Sequence, residues 1–128
     1  MEIAQDKKSF DKFGKHFQEE LAHIILEDRP FADQLEEVLD PSFFGLSYVR
    51  TFAELVFDYR KKYKVHPSQE IMVALIRTQM THEPESVQEQ VRNFFARMIT
   101  TPIIDKEYVK TQSLDFCKKQ KLNEALLK

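Results

Sequence analysis

The sequence is poor in the residues from which most catalytic and cofactor-binding motifs are built. It has 128 residues but only two glycines, Gly14 and Gly45, which lie far apart. A loop that cradles phosphate needs several glycines close together, so the Walker A loop, the GxGxxG loop and the nucleophile elbow are excluded. The single cysteine, Cys117, excludes an intramolecular disulfide framework and a zinc site built from cysteines.

Long apolar runs are also lacking. The longest, Ile71 to Ile76, has six residues, whereas a membrane-spanning helix needs about 20. The first ten residues carry charges where a secretory signal peptide has an apolar stretch. Together with the low cysteine content, these features predict a soluble protein of a reducing compartment, which we expect to be cytoplasmic.

An excess of either charge is missing as well. The chain has 19 Lys and Arg against 21 Asp and Glu, a net charge of −2. Such a chain has no overall field to attract nucleic acid or an anionic membrane. We therefore expect no membrane partner and no direct, sequence-specific binding of DNA.

Locally, however, the charges separate along the chain. Between Glu19 and Asp40 there are eight acidic side chains and one basic one, whereas between Lys106 and Lys128 there are six lysines and three acidic residues. Two interpretations remain open. These segments are either two solvated faces or complementary faces that fix the orientation of subunits in an oligomer.

Helix-forming residues dominate what is present, and apolar residues recur at spacings of three and four. The pattern predicts six helices. The first runs from Phe10, capped by Ser9, to the Asp28-Arg29-Pro30 step, the second is a short helix over 31–39, and the third covers 46–63. The fourth is opened by His66-Pro67-Ser68, the fifth by Glu83-Pro84-Glu85, and the sixth runs from Asp105 to the end of the sequence. The third has apolar residues on two sides and is expected to be central in the bundle.

The sixth helix has a thin apolar stripe and cannot bury much by itself. We expect it to lean on the fifth helix, or on another chain. The fold prediction is therefore an all-α compact bundle of about six helices that ends in an antiparallel helical hairpin. Its expected organisation is a flexible N-terminus (1–8), a globular helical bundle (9–102) and a last hairpin helix (103–128) that leads toward a linker.

One spacing suggests metal chemistry. His16, Glu20, His23 and Glu27 share a flank of the first helix, and Glu20-x-x-His23 has the spacing used in di-metal bundles. Such a site needs a second copy, but Tyr63 and Gln79 stand three residues before the other two histidines. We therefore predict a solvated helix flank, no metal, no cofactor and no catalytic residue, and we expect Cys117 to be a small apolar packing residue.

Aromatic residues are abundant, with 11 Phe and four Tyr. Neighbouring helical positions point about 100° apart, so Phe94 and Phe95 cannot both enter one helix seam. Core packing is the default for each aromatic residue taken singly, but the total suggests that some aromatic surface is left for a partner.

The order of these segments is similar to that of a known family. The segments are the opening helix His16 to Leu26 with Phe31-Ala32, the hinge Leu39-Asp40-Pro41-Ser42-Phe43-Phe44, the helix Tyr48 to Tyr63, the turn Val65-His66-Pro67-Ser68, and Phe94 to Pro102 followed by Tyr108 to Leu127. Over residues 15–128 the chain resembles the N-terminal domain of hexameric replicative DNA helicases of the DnaB family, in a phage version. The ATPase core of that family is absent from this sequence.

The resemblance implies a non-catalytic collar domain that associates with copies of itself, as a dimer or within a hexamer, through its helical hairpin. It also implies docking of primase or a helicase loader during DNA replication. The candidate residues for self-association are Phe94, Phe95, Met98, Val109 and Phe116. The alternative for these residues is that they only hold the hairpin to itself, and the alternative function is a free-standing all-helical adaptor or DNA-binding regulator.

Overall fold

The computed structural model of the protein describes residues 8–127. Within this range it is a bundle of six α-helices without a β-strand, which confirms the predicted all-α class. The helices are α1 (Lys15–Glu27), α2 (Arg29–Glu36), α3 (Ser47–Tyr63), α4 (Gln69–Thr78), α5 (Glu85–Met98) and α6 (Lys106–Leu127). Single turns of 3-10 helix, Phe10–Phe13 and Pro41–Phe43, precede α1 and α3. The flexible N-terminus expected for residues 1–8 lies outside the described residues, apart from Lys8.

Gly14 interrupts the first predicted helix. Ser9 is a cap, as predicted, but its hydroxyl accepts from the Asp11 N–H at 2.9 Å and so caps the 3-10 turn. Gly14 has a φ of 93°, a left-handed conformation that favours glycine. The chain therefore changes direction at Gly14, and the α-helix begins only at Lys15.

Two other predicted helix boundaries rest on local capping bonds. Asp28 ends α1, and its Oδ1 accepts from the Phe31 N–H at 3.1 Å at the start of α2. Ser68 caps α4 in the same way, with its hydroxyl accepting from the Ile71 N–H at 3.1 Å. These caps confirm the breaks that the acidic, serine and proline residues predicted.

The helix at the centre of the bundle is α1. It packs against α2, α3, α6 and the Phe10–Phe13 turn, and most of its side chains are buried. The prediction gave the central position to α3. That helix does contact α1, α4 and α5, but Tyr63 in its last turn is exposed and Phe57 is only half-buried.

The main neighbours of α6 are α1 and α2, whereas the prediction paired it with α5 in an antiparallel hairpin. The link into α6 is held by α1, because the Glu20 carboxylate accepts from the N–H groups of Ile104 at 2.7 Å and Asp105 at 3.0 Å. These two hydrogen bonds direct α6 onto α1. Although the apolar stripe of α6 is thin, its residues Val109, Phe116 and Cys117 are all buried against the bundle.

Charge complementarity between the acidic and lysine-rich segments occurs inside one chain. The Asp28 carboxylate lies 3.3 Å from Lys106 Nζ and 3.1 Å from Lys110 Nζ. Farther along α6, Lys121 Nζ donates to the Glu37 carbonyl oxygen at 3.2 Å. The complementary segments therefore fix α6 against α1 and α2 of the same molecule.

Replacement of Gly45 tests the contact that precedes α3. A Cβ at this position would lie 1.7 Å from Asp11 Oδ1, and that oxygen accepts from Gln18 Nε2 at 3.3 Å. Gly45→Ala must displace the carboxylate, so we expect the free energy of unfolding to fall by about 1 kcal/mol in urea denaturation. In an Asp11→Ala background the same change should cost nothing, or stabilise by up to about 1 kcal/mol. An equal cost in both backgrounds would contradict this account of the contact.

Candidate interaction surface

The five residues predicted to mediate self-association are all buried within one chain. All five belong to one hydrophobic core, within which they lie in two clusters of contacting side chains. In the first, the Phe94 ring centre lies 5.6 Å from that of Tyr48 and 5.4 Å from that of Phe52, so α5 packs edge-on against α3. Phe95 and Met98 belong to the same part of the core.

The second cluster lies around Phe116 of α6. Its ring centre is 5.0 Å from that of Phe10 and 5.4 Å from that of Phe43, and Val109 is buried about two turns before it. The five residues therefore do not form one exposed surface. Their burial supports the alternative that they hold a single chain together.

This second cluster also accounts for much of the aromatic surplus. It joins phenylalanines from four elements, namely Phe10, Phe13, Phe17, Phe43, Phe44 and Phe116. The two 3-10 turns, Phe10–Phe13 and Pro41–Phe43, bring these rings together. Sequence periodicity placed Phe10, Phe13, Phe17 and Phe116 on helix stripes but could not find Phe43 and Phe44, because these two lie in and next to a 3-10 turn.

Glu19 connects three helices. Tyr48 of α3 donates its hydroxyl to Glu19 Oε2 at 2.5 Å, and Arg97 of α5 donates to both carboxylate oxygens at 3.1 Å. Burial by itself raises the pKa of Glu19, but the hydrogen bonds from Arg97 and Tyr48 outweigh it and hold the pKa below its ordinary 4.5. Burial and the bond to Glu19 raise the pKa of Tyr48 to about 12. The tyrosine is therefore a fixed donor and not a base at neutral pH.

Arg60 has a similar structural role on the other side of the bundle. Its guanidinium donates to Asp33, to Glu36 at 2.7 Å and to His66 Nδ1 at 2.7 Å. Because arginine only donates, His66 accepts at Nδ1 and donates from Nε2 to the Leu26 carbonyl oxygen at 2.7 Å. This set of contacts ties the end of α3 to α1 and α2.

The Glu-x-x-His flank is solvated, as the sequence predicted, only at His16 and Glu27, which are exposed. Glu20 is buried, its carboxylate accepting the two N–H groups at the start of α6, and His23 is half-buried. Burial lowers the pKa of His23, although Glu27 and Glu20 oppose the change. His16 pairs with Glu20, four residues later, with 3.6 Å between Nε2 and Oε1.

Cys117 is fully buried, as predicted for an apolar packing residue. Burial, with a smaller contribution from the charge of Asp40, raises the pKa of its thiol to about 12. A thiol with such a pKa is not a nucleophile at neutral pH, because the reactive form is the thiolate.

A groove of about 330 Å³ lies between α3 and α4. Leu55 and Leu75 contribute apolar surface, while Glu54 and Asp58 line it with carboxylates. Burial, together with the charges of Asp58 and Glu83, raises the pKa of Glu54. The groove therefore combines acidic and apolar surface.

The large apolar side chains left exposed concentrate on α6 and the link that leads into it. Tyr108, Leu122 and Leu126 are 58%, 59% and 75% exposed. Their separations of 14 and four residues are close to whole helical turns, so they share one side of the helix. We call this side the outer side of α6, and Ile99 and Ile104 are exposed just before the helix begins.

Comparisons with known proteins returned no match: no family model, no curated protein and no solved structure is similar to this chain. In the part of the chain that the structure describes, no helix combines the length and the apolar character needed to cross a membrane.

The burial of the predicted self-association residues is tested by truncating Phe116. Phe116→Ala removes a ring enclosed by phenylalanines, so we expect the free energy of unfolding to fall by about 3–5 kcal/mol. Leu122→Ala, at an exposed position of the same helix, should cost less than about 1 kcal/mol. Circular dichroism during urea denaturation measures both. Comparable losses for the two variants would show that Phe116 is not a core residue.

The Glu19 network predicts acid sensitivity. A carboxyl group whose pKa is lower in the folded than in the unfolded state stabilises the fold above its unfolded pKa, and this contribution is lost as the pH falls. Wild type should thus lose stability between about pH 5 and pH 3, and Arg97→Met should lose less over that range. Arg92→Met is the control, because within residues 8–127 the ion-pair partner of Arg92 is the exposed Glu85. Parallel stability curves for wild type and Arg97→Met would refute a role for Arg97 at Glu19.

Proposed function

We propose that this chain is a non-catalytic interaction domain that associates with copies of itself through the outer side of α6. The observation that carries the proposal is the exposure of Leu122 and Leu126 on the last two turns of a helix whose first half is well packed. Exposed leucines one turn apart form an apolar strip that water covers poorly. A second copy of the same helix offers the same strip, which suits a two-fold symmetric contact.

The division of α6 into two halves supports this role. Val109, Ser113, Phe116 and Cys117 are buried in its first half, whereas residues 121–126 are all exposed. The inner side of the second half is still attached to the bundle, because Lys121 bonds to Glu37. The leucine strip is thus held in a fixed direction and needs little ordering when a partner binds.

Burial of one leucine side chain contributes about 1.5–3 kcal/mol. Association of two chains costs about 4–15 kcal/mol in lost freedom. A two-fold contact buries two leucines from each chain, four in all, so we expect isolated domains to associate only weakly. Additional contacts within a larger assembly would strengthen the association. Weak association is what a collar requires when other domains of an assembly hold its copies close together.

The specific form of the proposal is the collar of a DnaB-family replicative helicase. It is supported by the resemblance in the order of helices and by the acidic, serine and proline punctuation, which coincides with the starts of α2 and α4. In this form of the proposal the chain is not itself an enzyme. Primase or a helicase loader would dock on the assembled ring and not on a single domain.

Analytical ultracentrifugation over a concentration series, from about 10 µM to about 1 mM, tests the proposal. Wild type should sediment faster as concentration rises, and Leu122→Asp combined with Leu126→Asp should remain monomeric throughout. The matched control is Lys118→Asn combined with Asn123→Asp, which changes the net charge equally on the same turns but keeps the leucines. A wild type that is monomeric throughout, or a leucine variant that still associates, would overturn the proposal.

A further inference from the structure

Three metal-ligating side chains converge where α1 meets the start of α6. His16 Nε2 lies 3.6 Å from Glu20 Oε1 and 3.5 Å from Asp105 Oδ2. One ligand atom from each residue lies within 4.8 Å of the other two. We propose that His16, Glu20 and Asp105 bind a divalent transition metal ion, for which Zn²⁺ is the best match.

The distances suit tetrahedral coordination. Zinc binds imidazole nitrogen and carboxylate oxygen at about 2.0–2.2 Å, so two ligands of one tetrahedron lie roughly 3.4 Å apart. The separations of 3.5 and 3.6 Å need only small side-chain movements to reach that value. His16 and Asp105 are both exposed, so their side chains are free to make these movements.

Charge gives an independent reason for a cation here. The Glu20 side chain is only 5% exposed, and its oxygens accept the Ile104 and Asp105 N–H groups. Among residues 8–127, no lysine or arginine forms an ion pair with Glu20 or Asp105, and His16 is the partner of both. Buried carboxylates in proteins are paired with a cation or bind a metal. One imidazole and two carboxylates form a donor set that a single transition metal ion can share.

The ligand set is different from the one suggested by the Glu-x-x-His spacing. Glu20 pairs with His16, four residues earlier, and the third ligand comes from the link into α6. His23 lies with His16 and Glu20 on a cavity of about 70 Å³ but does not belong to the ligand cluster. This cavity has room for a metal-bound water as fourth ligand. It is too small for a substrate of ordinary size.

Metal binding at this point would control the placement of α6. The Asp105 carbonyl oxygen accepts from the Val109 N–H at 2.9 Å and begins the hydrogen-bond pattern of that helix. An ion held by His16, Glu20 and Asp105 would connect α1 directly to this first turn. It would therefore stabilise the folded chain, and the stabilisation would rise with the logarithm of the metal concentration once the site is saturated.

The experiment titrates the 128-residue chain, prepared without a polyhistidine tag, with Co²⁺ and then with Zn²⁺. We expect the visible absorption of tetrahedral Co²⁺ to saturate at one equivalent and to disappear when one equivalent of Zn²⁺ is added. Thermal denaturation followed by circular dichroism should show a higher midpoint with Zn²⁺ than with a chelator. Both readouts use the metals alone and need no partner protein.

Substitutions at exposed ligands separate metal binding from folding. His16→Ala and Asp105→Asn should each lose the Co²⁺ band and the Zn²⁺-dependent shift while keeping a native helical spectrum. His82→Ala is the matched control, because His82 is also exposed and its ion-pair contact is with Glu83 alone. A wild type without the band, or a band that survives in His16→Ala, would overturn the proposal. Loss of the band in His82→Ala would place the metal elsewhere and overturn it equally.

Discussion

Three consecutive polar side chains of the buried helix α1 hold the rest of the molecule in place. Gln18 Oε1 accepts from the N–H groups of Gly45 and Leu46 at the start of α3, at 2.9 and 3.3 Å. Glu19 binds Tyr48 and Arg97, and Glu20 accepts the amides that lead into α6. Neighbouring helical positions point about 100° apart, so three residues in a row reach three different sides. Only a helix that has neighbours on three sides can form hydrogen bonds through all three side chains.

This arrangement gives α6 its two distinct ends. Glu20 and Asp28 fix its first turns against α1 and α2, which leaves the outer side available farther along. The proposed metal ligands lie at the fixed end, whereas Leu122 and Leu126 lie at the other. The two proposals are independent, because loss of the metal site would leave the exposed leucines in place.

Local features could be predicted from the sequence, and long-range ones could not. The starts of α2 and α4 follow from Asp28, Ser68 and nearby prolines, because a cap bonds to a backbone group three residues away. The position of α6 depends on Glu20 bonding to Ile104 and Asp105, 84 and 85 residues along the chain. A contact between residues so far apart in the sequence leaves no periodic pattern from which it could be predicted. Long-range contacts also explain why the predicted self-association residues are not exposed. Phe116, for example, is covered by rings from distant turns.

Native-state hydrogen exchange of four loop amides tests the role of α1 most directly. The N–H groups of Gly45, Leu46, Ile104 and Asp105 bond to α1 side chains, so they should be protected although none belongs to a regular helix. Gln18→Ala should remove protection at Gly45 and Leu46 while Ile104 and Asp105 keep theirs, and Glu20→Ala should do the reverse. Exchange of all four amides in wild type at the rate of an unstructured peptide would contradict the account.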